Sequence, residues 1–122
     1  MTDAPQPQRG EIWLVNLDPT LGAEIRKTRP AVVVSADGLG SLPVRIVAPI
    51  TAWRSQYAED LWHLPLPADK HTNLGKPSAV DLLQIRSLDT QRFVHRIGCV
   101  HAALLDEIAA AIALVVGYET AT

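Results

Sequence analysis

The sequence predicts a mainly β domain, a small barrel or sandwich, that ends in one α-helix. Three observations carry this expectation. Five or six short apolar runs recur along residues 11–100, separated by turn-rich segments about every ten to fifteen positions. Those runs are rich in β-branched and aromatic residues, which suit a pleated surface. After residue 100 the composition switches abruptly to alanine and leucine, strong helix formers.

The elements follow in order. EIWLVNL, residues 11–17, alternates Ile12, Leu14 and Asn16 with Trp13, Val15 and Leu17, the period of a strand. A polar loop runs from Asp18 to Thr28, punctuated by Pro19 and Gly22. Ala31–Ser35 is continuously apolar at first, as expected of a strand buried on both faces, and Asp37, Gly38 and Gly40 end it. Arg45–Ile50 is the next strand, closed by Thr51. Leu61–Leu66 carries Pro65 and is followed by Pro67, which fits an edge strand. Ser78–Ile85 and Phe93–Val100 complete the set. In HAALLDEIAAAIALVVG the apolar stripe is Leu104, Leu105, Ile108, Ile112, Val115 and Val116, with Gly117 as the stop. Alanines fill most of the remaining surface, so the helix is expected to cap the barrel or to be shared with a second subunit.

A length of 122 residues suits one domain, placed at 9–118, with 1–8 a disordered tail and 119–122 a second tail. One cysteine, Cys99, excludes an internal disulfide framework and a cysteine-based zinc cluster. The first eight residues hold two prolines and no apolar run, so they do not read as a signal peptide. The longest wholly apolar stretch, Ile108–Val116, has nine residues, far short of the roughly 20 that span a bilayer. A cytoplasmic protein without membrane contact is expected.

Charge is where the sequence departs from folding needs. The net charge is −2, yet Arg26, Lys27, Arg29, Arg45 and Arg54 are opposed within residues 26–54 by Asp37 alone. RKTRP concentrates three of these cations at the mouth of a hydrophobic strand. Pro30 biases Arg29 towards extended backbone, so its guanidinium projects from a defined place. Thr51 ends the following strand, Glu24 lies in the loop before RKTRP, and Gln84 and Arg86 close DLLQIR. If neighbouring strands pair, these ends meet along one rim. Each has a bland reading as well: Arg29 paired with Asp37 or Glu24, Thr51 bonded to its own backbone, Arg26 and Lys27 as a solvated edge. His63, His71, His95 and His101 show no ligand spacing, so no metal site is expected.

Four blocks, GEIWLVNLDPTLGAE, TRPAVVVSAD, VAPIT and LLQIRSLD, occur in an order and spacing that resembles the MazF/PemK toxins from about Arg9 to Val116. The resemblance implies an SH3-like β-barrel with a C-terminal helix. It further implies a ribosome-independent, metal-independent endoribonuclease that cleaves single-stranded RNA without a cofactor and acts as a homodimer restrained by a cognate antitoxin. The arginine of the TRP block is Arg29 and the threonine of the API-T block is Thr51, the pair that carries catalysis in that family. Glu24 is the glutamate of the loop and a candidate base. Gln84 lies on the RNA-binding surface, to which Arg26, Lys27 and Arg86 are added. A guanidinium that binds two oxygens suits a transition state gaining negative charge. Many relatives carry an acid where this chain has Leu83; Asp81 either replaces it or the acid is dispensable. Two alternatives share the barrel: a CcdB-like toxin that poisons gyrase by binding, and a catalytically idle homologue. The ending VVGYETAT lacks the Trp-Gly-Ile terminus of the first.

Overall fold

Alternation in EIWLVN sets the first strand of the computed structural model, which describes residues 5–39 and 42–119. β1 spans Glu11–Asn16, β2 Thr28–Val33, β3 Val44–Ala52, β4 His63–Leu66, β5 Ser78–Asp81, β6 Arg86–Asp89 and β7 Phe93–Cys99; α1 spans Ala102–Val115. The sheet is antiparallel in the order β4-β5-β3-β2-β1-β7, with β6 also on β3. The barrel-like sheet with one C-terminal helix is as expected. Seven strands replace the expected five or six, and β4 is an edge strand as its prolines predict.

The added strand comes from splitting the run expected over Ser78–Ile85. That run and its continuation lie beside β3 throughout, but Ile50 faces Val80 whereas Val47 faces Arg86. Three steps along β3 are thus matched by six on its partner. The surplus is a 3-10 turn, Leu82–Gln84, whose Leu83 N–H is capped by the Asp81 carboxylate at 3.0 Å. Strand alternation therefore does not relate Asp81 to Leu83.

β2 is apolar on both faces because it separates two cores. Val32 joins Ile12, Ala48, Ile50, Val80 and Leu82 under α1, where Leu104, Leu105 and Ile108 are buried. Ala31 and Val33 face the other side with Val15, Leu17, Val47, Leu88 and Phe93. The helix therefore caps the barrel within one chain, with Ile112 and Val115 packed at its margin. Val116, assigned to the same stripe, is instead the exposed C-cap, and Gly117 follows at φ +88°, the left-handed conformation of a glycine stop.

The loop between β4 and β5 covers part of the outer edge of β7. His71 C=O accepts from Cys99 N–H at 2.9 Å, and Asn73 Nδ2 donates to Ile97 C=O at 3.1 Å. Gly98 is required there: a Cβ would sit 2.4 Å from the Thr72 carbonyl oxygen and 2.5 Å from that of His71. At the N-terminus Pro7 is buried and its carbonyl accepts from Arg45 Nε at 2.8 Å. The segment 1–8, read as a disordered tail, is thus anchored at Pro7; its residues 1–4, like 120–122 of the C-terminal tail, lie outside the described residues. Among the described residues no helix is long and apolar enough to cross a membrane.

Candidate active site

The ladder between β2 and β3 pairs Ala31 with Pro49 and Val33 with Val47. Extended by two residues, the same register puts Arg29 opposite Thr51, and directly opposed residues share a sheet face. Pro30 and Pro49 supply no N–H to the ladder between these positions. Beyond them β3 pairs with β5 on its other edge, Thr51 facing Ala79. The sequence thus delivers the guanidinium and the hydroxyl to one end of one strand pair. Arg29 is fixed in addition by Nε donating to Arg26 C=O at 3.0 Å. It pairs with neither Asp37, which accepts from Arg9 N–H, nor Glu24, which accepts from Leu21 N–H. The Nη groups of Arg29 and the Thr51 hydroxyl make no hydrogen bond to the described residues, and both residues are partly exposed.

The loop between β1 and β2 carries Glu24, Arg26 and Lys27, all exposed. It is held by side chains reaching its backbone. Gln84 accepts from Ile25 N–H at 3.1 Å through Oε1 and donates to Ala23 C=O at 3.1 Å through Nε2, bracketing Glu24. At the loop's base Asp18 accepts from Lys27 N–H at 3.1 Å, and Arg86 donates to Leu17 C=O at 3.0 Å. Arg92 donates to the carbonyls of Asn16 and Asp18. Lys27 adopts φ +71°, a left-handed turn just before the strand. A cleft of about 430 Å³ opens beside this loop, lined by Ala23, Glu24, Ile25, Pro49 and Leu83–Arg86. Glu24, Gln84 and Arg86 therefore share a cleft, while Arg29 and Thr51 stand at the strand ends next to it.

A second wall begins two residues after Thr51. Trp53 N–H donates to Pro77 C=O at 3.1 Å, and a 3-10 turn, Ser55–Glu59, leads back to β4. Tyr57 stacks on His63 with centroids 3.6 Å apart and planes within 7°, and Trp53 meets Tyr57 edge-on at 5.9 Å. His63 Nδ1 lies 2.7 Å from Asp60 Oδ2 and Nε2 lies 3.4 Å from Asp81 Oδ2. Burial opposes ionisation of Asp60, but bonds from the His63 ring and the N–H groups of His63 and Trp62, with the His63 charge, hold its carboxyl below the ordinary range. Asp81 is thus engaged both by His63 and by the N–H it caps at the 3-10 turn. Among the described residues no group of three or more His, Cys, Asp or Glu is arranged to hold a metal ion.

Sequence reasoning missed Arg92 and the Tyr57–His63 wall. Arg92 gives no local signal, since its partners lie over seventy residues away. The wall does: Trp53, Tyr57 and Trp62 are three of the chain's six aromatic residues within ten positions.

Arg29 and Thr51 thus stand at one end of the β2–β3 pair, with a basic loop before the first and an aromatic loop after the second, on a small barrel. Comparison with known proteins places it further. Residues 8–116 match the family described as PemK-like, MazF-like toxin of type II toxin-antitoxin system. Endoribonuclease MazF9 of Mycobacterium tuberculosis is 37% identical over 113 residues, covering 88% of this chain and 93% of the relative. The crystal structure of MazF from Deinococcus radiodurans superposes with a TM-score of 0.73 at 25% identity, covering 91% and 96%. An endoribonuclease in complex with its cognate antitoxin from a mycobacterial species superposes at 0.74 and 17% identity, covering 95% and 100%. The chain belongs to the PemK-like, MazF-like toxin family. Its activity is that of an endoribonuclease toxin.

Proposed function

We propose that this endoribonuclease cleaves single-stranded RNA at the rim between Arg29 and Thr51 without a metal cofactor. The observations that support this most are the β2–β3 register, which continued two residues past the Ala31–Pro49 pair would oppose Arg29 and Thr51, and the Arg29 Nη groups, which make no hydrogen bond to the described residues. In this reading the ribose 2′-oxygen attacks the adjacent phosphorus and the bond to the 5′-oxygen breaks. One product ends in a 2′,3′-cyclic phosphate and the other in a 5′-hydroxyl. Arg29 binds the phosphoryl oxygens as negative charge develops, and Thr51 donates to the same oxygens. Glu24 accepts the 2′-hydroxyl proton, and the 5′-oxygen takes up a proton as it leaves. Gln84 positions the loop that carries Glu24, whereas Arg26, Lys27 and Arg86 attract the phosphate backbone.

The protein works in this proposal as a cytoplasmic homodimer. Its cognate antitoxin covers the cationic rim with an acidic segment, which the positive balance of residues 26–54 favours. The test incubates purified protein with a long single-stranded RNA in EDTA. Discrete fragments with cyclic-phosphate ends, lost in both Arg29→Ala and Thr51→Ala, support the proposal. Cleavage that needs an added divalent ion, or that survives both substitutions, refutes it.

A further inference from the structure

Leu61, Trp62 and Leu83 are 72%, 37% and 58% exposed. Their segments meet where Leu82 N–H donates to Trp62 C=O at 2.8 Å. Folding gives no reason for three large apolar side chains to face water at one junction. Leu83 also lines the cleft beside Glu24 and Gln84, so the apolar lip is continuous with the proposed active site. Trp62 is anchored at its backbone, whose N–H donates to Asp60 Oδ1 at 3.1 Å, and its indole lies 6.1 Å from the His63 ring at 45°. His63 is itself stacked on Tyr57 and flanked by Asp60 and Asp81. An indole fixed at its root loses little freedom when a flat partner settles on it.

We infer that Trp62, with Leu61 and Leu83, is a stacking platform for an unpaired nucleobase of the RNA strand beside the scissile phosphate. This rests on the reading of the Arg29–Thr51 rim as the cleavage site. The lip carries no cation, and Glu59 and Asp60, which precede it, are acidic, so it suits the face of a base and not a phosphate. Stacking accepts any of the four bases, so the platform adds affinity and strand alignment without dictating a letter.

The experiment uses a single-stranded RNA of about thirty nucleotides whose cleavage site by the wild-type protein is mapped. A companion series carries one abasic nucleotide at each position flanking that site. Trp62→Ala is expected to raise KM on the intact RNA about tenfold while kcat changes less than about twofold, and Trp62→Phe to recover most of the loss. On the one abasic RNA that lacks the stacked base, wild type shows the same rise and Trp62→Ala adds nothing to it. Unchanged KM in Trp62→Ala, or a penalty that adds on every abasic RNA, overturns the platform while leaving the cleavage reading intact. Wild-type RNA kinetics with weakened antitoxin binding in Trp62→Ala assigns the lip to a protein and likewise overturns it. Intact RNA with the wild-type protein overturns both readings, a failure distinguishable from the others at the first step.

Discussion

The two loops that flank the rim are built in opposite ways, although each is rooted on one member of the Arg29–Thr51 pair. The loop before Arg29 is tied within itself by Asp18 on Lys27 N–H and Glu24 on Leu21 N–H, and Gln84, Arg86 and Arg92 also reach in from distant segments to grip its backbone. The loop after Thr51 is held largely by its own side chains, Trp53, Tyr57 and Asp60 on His63. Backbone grips made by such half-buried polar groups each contribute about 1 kcal/mol and can exchange with water or a polar ligand. A stacked, hydrogen-bonded cluster is lost as a unit. The first loop is therefore suited to yield to a strand of RNA, and the second to stay in place and align it.

The sharpest test of this contrast strikes the roots. Arg29→Ala is expected to lower kcat about 10²–10³-fold, the usual effect of removing a preorganised transition-state donor. Thr51→Ala removes a neutral donor and should lose about tenfold less, in gel assays of a labelled RNA. Equal losses would mean that the two residues act as one unit.

The next test compares the walls. His63→Ala leaves Asp60 and Asp81 without their shared partner and should destabilise the fold by about 2–4 kcal/mol in urea unfolding. Gln84→Ala should destabilise by about 1 kcal/mol yet expose the Ala23–Ile25 segment to proteolysis. The reverse ranking would break the comparison.

Acid provides a subtler probe. Because Asp60 titrates below the ordinary range in the folded state, its contribution is present above the unfolded value of about 3.9 and disappears as pH falls through the folded one. The stability difference between wild type and Asp60→Asn should therefore be widest near pH 6 and close towards pH 3. A difference that widens on acidification contradicts the pairing. The smallest effect belongs to Lys27→Ala, which should reduce the salt dependence of RNA binding by about one unit of log–log slope.

Most of the barrel was legible in the sequence, as was the placing of Arg29 and Thr51 at strand ends. Period-two alternation marked β1, two-sided burial marked β2, and Pro30 and Thr51 marked ends of β2 and β3. The 3-10 turn at Leu82–Gln84 was not legible, because DLLQIR is as apolar and continuous as a strand. What breaks it is tertiary: Leu82 is drawn into the core under α1, while Asp81 caps the turn and faces His63. Gln84 was assigned to the RNA surface, and only the folded chain shows its amide engaged with the loop backbone. Arg92 could not be placed by any local rule.

The cover over β7 has a consequence for how this molecule meets copies of itself. With Cys99 N–H and Ile97 C=O occupied, and His95 and Arg96 charged or polar beside them, that border offers little to an incoming strand. At the opposite border Pro65 interrupts β4. Lengthening of the sheet by open-ended, fibre-like growth is thereby discouraged at β7 and at β4. Contacts between copies are left to side-chain faces and not to backbone pairing at these two strands.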